Sequence, residues 1–341
     1  MRIRILCTLG PASLHSHTIR RLGEAGVDLF RINLSHTSLD DLEETIALVQ
    51  ASTDRPVCLD TEGAQVRCGP VEPGLALVAG ELVELTAEPV IGSADRLTLR
   101  PAVTFDVLEP GSRMTVDFDG AALEVIEAGP GRATALVTQA GRVGSNKAMV
   151  VDPAPTLPPL SDKDLAAVRI GSDMGIREFA VSFARSAGDV ALMRSLTPAG
   201  TRVIAKIESR AGVRNMDGII AAADAVLIDR GDLSLEVPLE EVPFYQKALI
   251  RRANLWSRPV YVATNLLESM TTNRRPTVAE ANDIANTLLD GVHGLVLAAE
   301  TAIGISPVGS VEMIVKLIGA FERQQALLGM APADLVAVAG A

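Results

Sequence analysis

Short apolar runs alternate with helical patterns along most of this chain, and that alternation restricts the fold more than any other feature. Eight strand-like runs are legible: Arg4–Leu9, Leu29–Asn33, Val57–Asp60, Glu178–Ser182, Arg202–Lys206, Ala225–Asp229, Val260–Thr264 and Gly294–Ala298. Most are followed by helical spacing, as in Thr18–Ala25, Leu39–Gln50, Asp162–Met174, Ala187–Leu196, Val213–Ala223, Val242–Ser257 and Val278–Asp290. Ser38, Ser161 and Thr277 stand just ahead of such segments as helix-start residues. Eight strand–helix units predict an α/β fold, a (β/α)8 TIM barrel.

The polar residues fall where such a barrel does its chemistry. Arg31, Asn33, Asp60, Lys206, Asp232, Thr264 and Glu300 lie at the C-terminal ends of these runs. Lys206-Ile207-Glu208 and Arg230-Gly231-Asp232 each close an apolar run, which brings one ammonium and two carboxylates together. Glu208 and Asp232 can share a hard divalent cation through oxygen ligands. Lys206 can neutralise a phosphoryl group or enolate oxygen beside it. The chain has only five lysines among 31 basic residues, so a lysine at a strand end is not background.

Residues 64–150 break the alternation. Gly and Pro punctuate runs such as Leu82–Leu85, Met114–Val116, Leu123–Ile126 and Ala133–Val137, and Asp119-Gly120 has hairpin-turn chemistry. The expected organisation is a barrel of residues 1–63 and 151–330, a small all-β domain inserted at 64–150, and a tail at 331–341. The proline-rich stretch Asp152–Pro159 returns the chain to the barrel. Gly129-Pro130-Gly131 lies in a β-rich stretch with no following helix, so it is not a dinucleotide loop.

Composition excludes several classes. A formal net charge of -11 and 3% aromatics argue against nucleic-acid partners, which need a basic field or stacking platforms. No apolar run approaches the ~18 residues of a membrane helix. Cys7, Cys58 and Cys68 lack metal-type spacing and read as reduced, buried cytoplasmic thiols. His15 and His17 read as solvated residues beside a helix start.

A series of segments in uninterrupted order resembles the pyruvate kinase family. They are Cys7-Thr-Leu-Gly-Pro-Ala-Ser13, Arg31-Ile-Asn-Leu-Ser-His36, Leu59-Asp-Thr61 with Arg67, Gly144-Ser-Asn-Lys147, Ser161-Asp-Lys-Asp164 and Lys206-Ile-Glu208. The series continues with Arg230-Gly-Asp-Leu233, Ala263-Thr264, Leu267-Glu-Ser-Met270, Arg275-Pro-Thr277 and Glu300-Thr301. The resemblance implies a glycolytic, metal-dependent transfer from phosphoenolpyruvate to ADP, giving pyruvate and ATP. Glu208 and Asp232 would ligate Mg²⁺ or Mn²⁺, Lys206 would stabilise the moving phosphoryl group, and Thr264 would relay a proton to the enolate. Gly231, Asp232, Ser182 and Asp229 would border the substrate. Arg31, His36, Arg67 and Lys147 would face phosphates and nucleotide, and Asn33, Ser35, Asp60 and Thr61 would hold K⁺. Asp117 and Asp119 are either turn formers or the family's acidic residue over the nucleotide. A cytoplasmic homo-oligomer, a dimer paired through Arg274–Ala281, and a swinging β-domain lid are implied as well. The sequence stops soon after the eighth unit, so the family's C-terminal domain and its effector site are not expected.

The departures leave alternatives open. Glu62-Gly-Ala-Gln-Val-Arg67 stands where the family reads Lys-Gly-Pro-Glu-Ile-Arg, which reverses a charge and removes a carboxylate linked with K⁺ dependence. Asp229 stands where a small residue is usual, and its charge would oppose the substrate carboxylate. Ser234, Asn265, Ala298-Ala299 and Ile303 also differ, and Asp41 lies where an adenine-side aromatic is expected. Two other readings therefore stand: a divergent lyase- or aldolase-type enzyme acting on a pyruvate-like enolate, and a non-catalytic metabolite-binding homologue.

Overall fold

The computed structural model describes residues 2–116 and 120–328. Asp117, Asp119, the turn at Asp119 and the 331–341 tail lie outside the described residues. The chain forms two compact units: Met1–Thr61 with Asp162–Arg230 and Pro243–Ala341, and Glu62–Ser161 with Gly231–Val242.

In the first unit eight parallel strands close into a barrel. They are β1 (Arg4–Thr8), β2 (Leu29–Asn33), β3 (Val57–Asp60), β4 (Glu178–Val181), β5 (Arg202–Ile207), β6 (Ala225–Asp229), β7 (Val260–Ala263) and β8 (Gly294–Leu297). Each pairs with its sequence neighbours, and β8 closes on β1. The TIM barrel expected from the alternation is the fold, and each strand ends within one residue of its sequence-read run. Helix starts follow their capping chemistry. Ser38 Oγ accepts from Asp41 N at 3.1 Å, and Thr277 forms a reciprocal capping box with Glu280.

The expected helix Val213–Ala223 is two helices, Arg210–Arg214 and Met216–Ala222. They break at Asn215, whose side-chain amide donates to the Arg185 carbonyl at 2.7 Å. That bond ties the break to the segment after β4, thirty residues earlier in the chain. Pro307–Leu328, not placed from the sequence, is a 22-residue helix packed on Ser16–Ala25. Its proline stands at the first position, where the missing N–H costs nothing.

Strand alternation fills the barrel. Leu6, Leu29, Cys58, Ala180, Ile204, Leu227, Ala263 and Val296 meet inside, one from each strand. Two residues earlier on three of these strands come Arg4, Glu178 and Arg202, which with Tyr261 make a polar floor. Arg4 Nη1 donates to the Tyr261 hydroxyl at 3.0 Å, and Arg202 pairs with Glu178 at 3.1 Å. Burial pushes the Glu178 carboxyl up despite the opposing pull of Arg202 and Arg4. Gly294 belongs to this packing, since a Cβ there would stand 2.7 Å from the Arg4 carbonyl oxygen and 2.9 Å from Tyr261 Cδ1.

In the second unit seven strands close into a smaller barrel. Its strands are Val66–Cys68, Leu82–Thr86, Arg96–Arg100, Arg113–Val116, Ala122–Gly129, Arg132–Gln139 and Ala148–Asp152. Leu82–Thr86 and Arg96–Arg100 pair in parallel, and the other pairs are antiparallel. Val83, Leu85, Leu97, Leu99, Leu123 and Val125 are among its core. Gly129-Pro130-Gly131 is a hairpin turn, with Gly129 opposite Arg132 and Gly131 at φ 67°. No described helix is long and apolar enough to cross a membrane.

Candidate active site

The alternation that fills the barrel also builds its mouth. Two residues beyond inward-facing Leu29, Cys58, Ala180, Ile204 and Leu227 come Arg31, Asp60, Ser182, Lys206 and Asp229. The period of two aims them all at the C-terminal end of the barrel. All five are buried.

Lys206 stands at the centre. Its ammonium lies 3.1 Å from Glu208 Oε2, 3.4 Å from Asp60 Oδ2 and 3.8 Å from Asp229 Oδ2. It also donates to Ser182 Oγ at 3.1 Å. Burial alone would lower its pKa, but Asp60, then Glu208 and Asp229, raise it above that of an ordinary lysine. The ammonium is therefore a fixed cation at neutral pH. Asp60 is shared: Arg31 Nε donates to Oδ2 at 2.6 Å and Ser182 Oγ to Oδ1 at 3.1 Å. Burial would raise the Asp60 carboxyl, yet Arg31 and Lys206 hold it below the usual carboxylate range. Glu208 Oε1 accepts the backbone N–H of Phe183 at 2.7 Å, and Phe183 itself sits at φ 51°.

Thr264 follows β7 in a conformation its side chain disfavours. Its φ is 67°, an outlier for a β-branched residue, and Asn265 follows at 53°. Arg230 holds the turn, donating to the Thr264 carbonyl through Nε at 3.1 Å and Nη2 at 2.6 Å. Asp283 anchors that guanidinium at 2.7 Å. The Thr264 hydroxyl lies 3.0 Å from Asp229 Oδ1 and 2.6 Å from the Ala263 carbonyl oxygen.

Among the described residues, one carboxylate group could hold a metal ion. Glu208, Asp229 and Asp232 each offer an oxygen, and the three atoms lie within 4.8 Å of one another. Asp232 is brought there by the chain itself, in the first turn of the helix Arg230–Glu236 that starts directly after β6. An all-oxygen anionic donor set suits a hard divalent cation. Carboxylates outnumber the cations printed against them, with Lys206 facing Asp60, Glu208 and Asp229, which favours a cationic ligand. Of these three, the sequence points to Glu208 and Asp232 as metal ligands and to Asp229 as a residue beside the substrate.

The remaining sequence-derived residues are placed as follows. Gly231 and Asp232 open a seven-residue helix, and the Gly231 carbonyl accepts from Ser234 Oγ at 2.7 Å. Gln65 Nε2 lies 3.4 Å from Asp232 Oδ1. Asn33 and Asp60 are register partners on β2 and β3. Their oxygens are engaged within the protein: Asn33 Oδ1 accepts from Ser35 N at 3.0 Å, and Thr61 Oγ1 accepts from Ser182 N at 2.9 Å. Arg31, expected at the phosphates, is buried and bound to Asp60 and to Thr8 Oγ1 at 3.0 Å. Thr8 was missed, although it stands two residues beyond inward-facing Leu6. His36 is exposed at the end of β2. In the second unit Arg67 Nη1 donates to the Asn146 carbonyl at 3.0 Å, and Lys147 N lies 3.2 Å from Cys68 Sγ.

Comparison with known proteins agrees with this architecture. The family model described as pyruvate kinase, barrel domain, matches residues 1–311. A pyruvate kinase of Mycobacterium tuberculosis is 38% identical over 94% of this chain and 70% of that protein. Human pyruvate kinase PKLR is 36% identical over 91% of this chain and 58% of that protein. The crystal structure of Cryptosporidium parvum pyruvate kinase superposes with a TM-score of 0.89 at 28% identity, covering 94% of this chain and 70% of that one. The chain belongs to the pyruvate kinase family.

Proposed function

We propose that this protein transfers a phosphoryl group from phosphoenolpyruvate to ADP at the mouth of its barrel, giving pyruvate and ATP. The observation that carries the reading is the buried Lys206 ammonium set among Asp60, Glu208 and Asp229, beside a carboxylate group able to take a dication. The bond from phosphorus to the enol oxygen breaks, and a bond to a terminal ADP oxygen forms. Lys206 offsets charge on the moving group, and being anchored it needs no reorganisation as that charge develops. Glu208 and Asp232 would hold Mg²⁺ or Mn²⁺, with Asp229 adding charge beside them; such an ion supplies Lewis-acid stabilisation of phosphoryl and enolate oxygens. The enolate left behind takes a proton on carbon through Thr264. Backbone N–H groups at Gly231 and Asp232 would hold the substrate carboxylate, with Ser182 bordering it.

The nucleotide assignments to Arg31, His36, Arg67 and Lys147 belong to the same reading. So do K⁺ at Asn33, Ser35, Asp60 and Thr61, the domain limits at 63/64 and 150/151, pairing through Arg274–Ala281 and a cytoplasmic location. The test is direct: phosphoenolpyruvate, ADP and Mg²⁺ or Mn²⁺, with and without K⁺, followed for ATP. Metal-dependent ATP formation is expected. Folded protein that makes none under any of these conditions refutes the activity.

A further inference from the structure

Arg67 and Arg100 are direct cross-strand partners in the small barrel, on the antiparallel strands Val66–Cys68 and Arg96–Arg100. Their chain neighbours Cys68 and Leu99 belong to the core, so strand alternation turns both arginines to the outer face. Like charges set opposite each other destabilise a sheet. Elsewhere this barrel answers its arginines with acids. Arg113 faces Glu124 across neighbouring strands, and Arg96 and Arg132 share Glu84 and Glu88. Among the described residues no carboxylate pairs with Arg67 or Arg100.

What joins these two is neutral. Asn146 accepts from Arg67 Nη1 at its carbonyl oxygen, 3.0 Å, and from Arg100 Nη2 at its side-chain Oδ1, 2.8 Å. Its φ is 59°, a left-handed conformation in which asparagine is enriched. Two amide oxygens thus hold the guanidiniums side by side and neutralise neither. Arg100 is exposed, and Asn146 engages its Nη2 while leaving its Nε and Nη1 donors to a ligand. Arg67 Nε is buried with no hydrogen-bond partner. Two adjacent forks with surplus donors and no counter-charge match the oxygens of a phosphate group.

We propose that Arg100 is a phosphate-binding residue for the nucleotide, closing with Arg67 on one phosphate group as a two-guanidinium clamp. The ligand class is a nucleoside diphosphate, whose phosphate supplies the negative charge that the cross-strand pair lacks. The inference rests on the proposed kinase reaction, in which Arg67 faces the nucleotide; the claim of Arg100 comes from its pairing with Arg67 and Asn146.

The test separates the two. Binding of ADP with Mg²⁺ is measured by calorimetry without phosphoenolpyruvate, beside the KM values for ADP and phosphoenolpyruvate, in wild type, Arg100→Gln, Arg100→Lys and Asn146→Gly. Thermal melts verify folding of each. Glutamine keeps a donor for Asn146 Oδ1 and removes the charge. Glycine accepts positive φ and removes Oδ1, so it frees Arg100 from its anchor and keeps the charge. Arg100→Gln is expected to weaken ADP binding and raise its KM about tenfold, the scale of one charge-assisted hydrogen bond, with a shift of less than about twofold in the KM for phosphoenolpyruvate. Arg100→Lys should recover part of the loss, and Asn146→Gly should lose less than Arg100→Gln. ADP affinity unchanged in Arg100→Gln overturns the clamp. Equal losses in Arg100→Gln and Asn146→Gly overturn it too, since the arginine then only braces the loop. So does an Arg100-dependent affinity for inorganic phosphate with none for ADP, which assigns the pair to a separate anion. Wild type whose ADP binding depends on Arg100 but which makes no ATP refutes the kinase reading and leaves the clamp standing.

Discussion

Replacing Lys206 with methionine tests the electrostatics of the barrel mouth. Methionine keeps much of the side-chain volume, so the change removes the charge and opens little cavity. At an effective dielectric constant near 20, a unit-charge pair between 3 and 4 Å is worth about 4–5 kcal/mol gross. Lys206 has three such contacts, at 3.1, 3.4 and 3.8 Å, with carboxylates of which Asp60 and Glu208 are fully buried. The desolvation of these groups cancels most of that sum. Breaking one buried pair by deleting a partner typically costs about 3–5 kcal/mol. Lys206→Met is therefore expected to lose that much stability in the presence of EDTA, measured by urea unfolding. The stranded carboxylates should then bind a dication more avidly, and excess Mg²⁺ should restore part of the loss, about 2.7 kcal/mol at a hundred times the dissociation constant. ATP formation should fall by orders of magnitude even where stability is recovered, because the ion does not replace an ammonium at the phosphoryl group. A loss below about 1 kcal/mol in EDTA would place this lysine on the scale of an exposed pair and refute the reasoning.

Three further outcomes follow from particular contacts. Glu208→Gln is expected to weaken Mn²⁺ binding at least tenfold, about 1.4 kcal/mol, read by calorimetry without substrate; unchanged affinity would remove Glu208 from the metal site. Asp60 is held below its unfolded value by Arg31 and Lys206, so its contribution is present above the ordinary aspartate pKa, about 3.9, and is lost as pH falls through the lower folded value. Unfolding free energy should drop on acidification from pH 5 towards pH 3, by a smaller amount in Asp60→Asn, and equal slopes would contradict the assignment. Gly294→Ala should cost about 1–3 kcal/mol as an overpacked site, because the carbonyl oxygen of Arg4, 2.7 Å from the new Cβ, cannot move without breaking the β1–β8 register.

The sequence carried the barrel because its period is short and repeated. Each strand needs only a few apolar residues to declare itself, and all eight were placed to within one residue. The smaller barrel was less legible: Val66–Cys68 has three residues and Arg96–Arg100 is closed by arginines at both ends, so neither shows an apolar run. For the site, alternation alone leads from Ile204 to Lys206 and from Ala180 to Ser182. What alternation does not carry is the choice of partner. Arg31 read as a phosphate ligand, and in the fold its guanidinium is spent largely on Asp60 and Thr8.

Asp229 shows the limit most clearly. Read along the chain, it is a negative charge in a place meant for another carboxylate, and the expectation is repulsion. In the fold two features change its meaning. Lys206 lies at 3.8 Å, and its raised pKa keeps it charged. Thr264, turned left-handed by Arg230, offers Asp229 a hydroxyl at 3.0 Å. Neither feature has a local sequence signal, since threonine is a poor choice for positive φ and its turn is set by a guanidinium anchored on Asp283. A β-branched residue kept in a costly conformation, with its hydroxyl engaged by the last residue of β6 and its carbonyl by the first residue of the helix that follows, has the form of strain held for function. Asp229 therefore belongs to the machinery that places Thr264, and its charge already faces an ammonium before a substrate arrives.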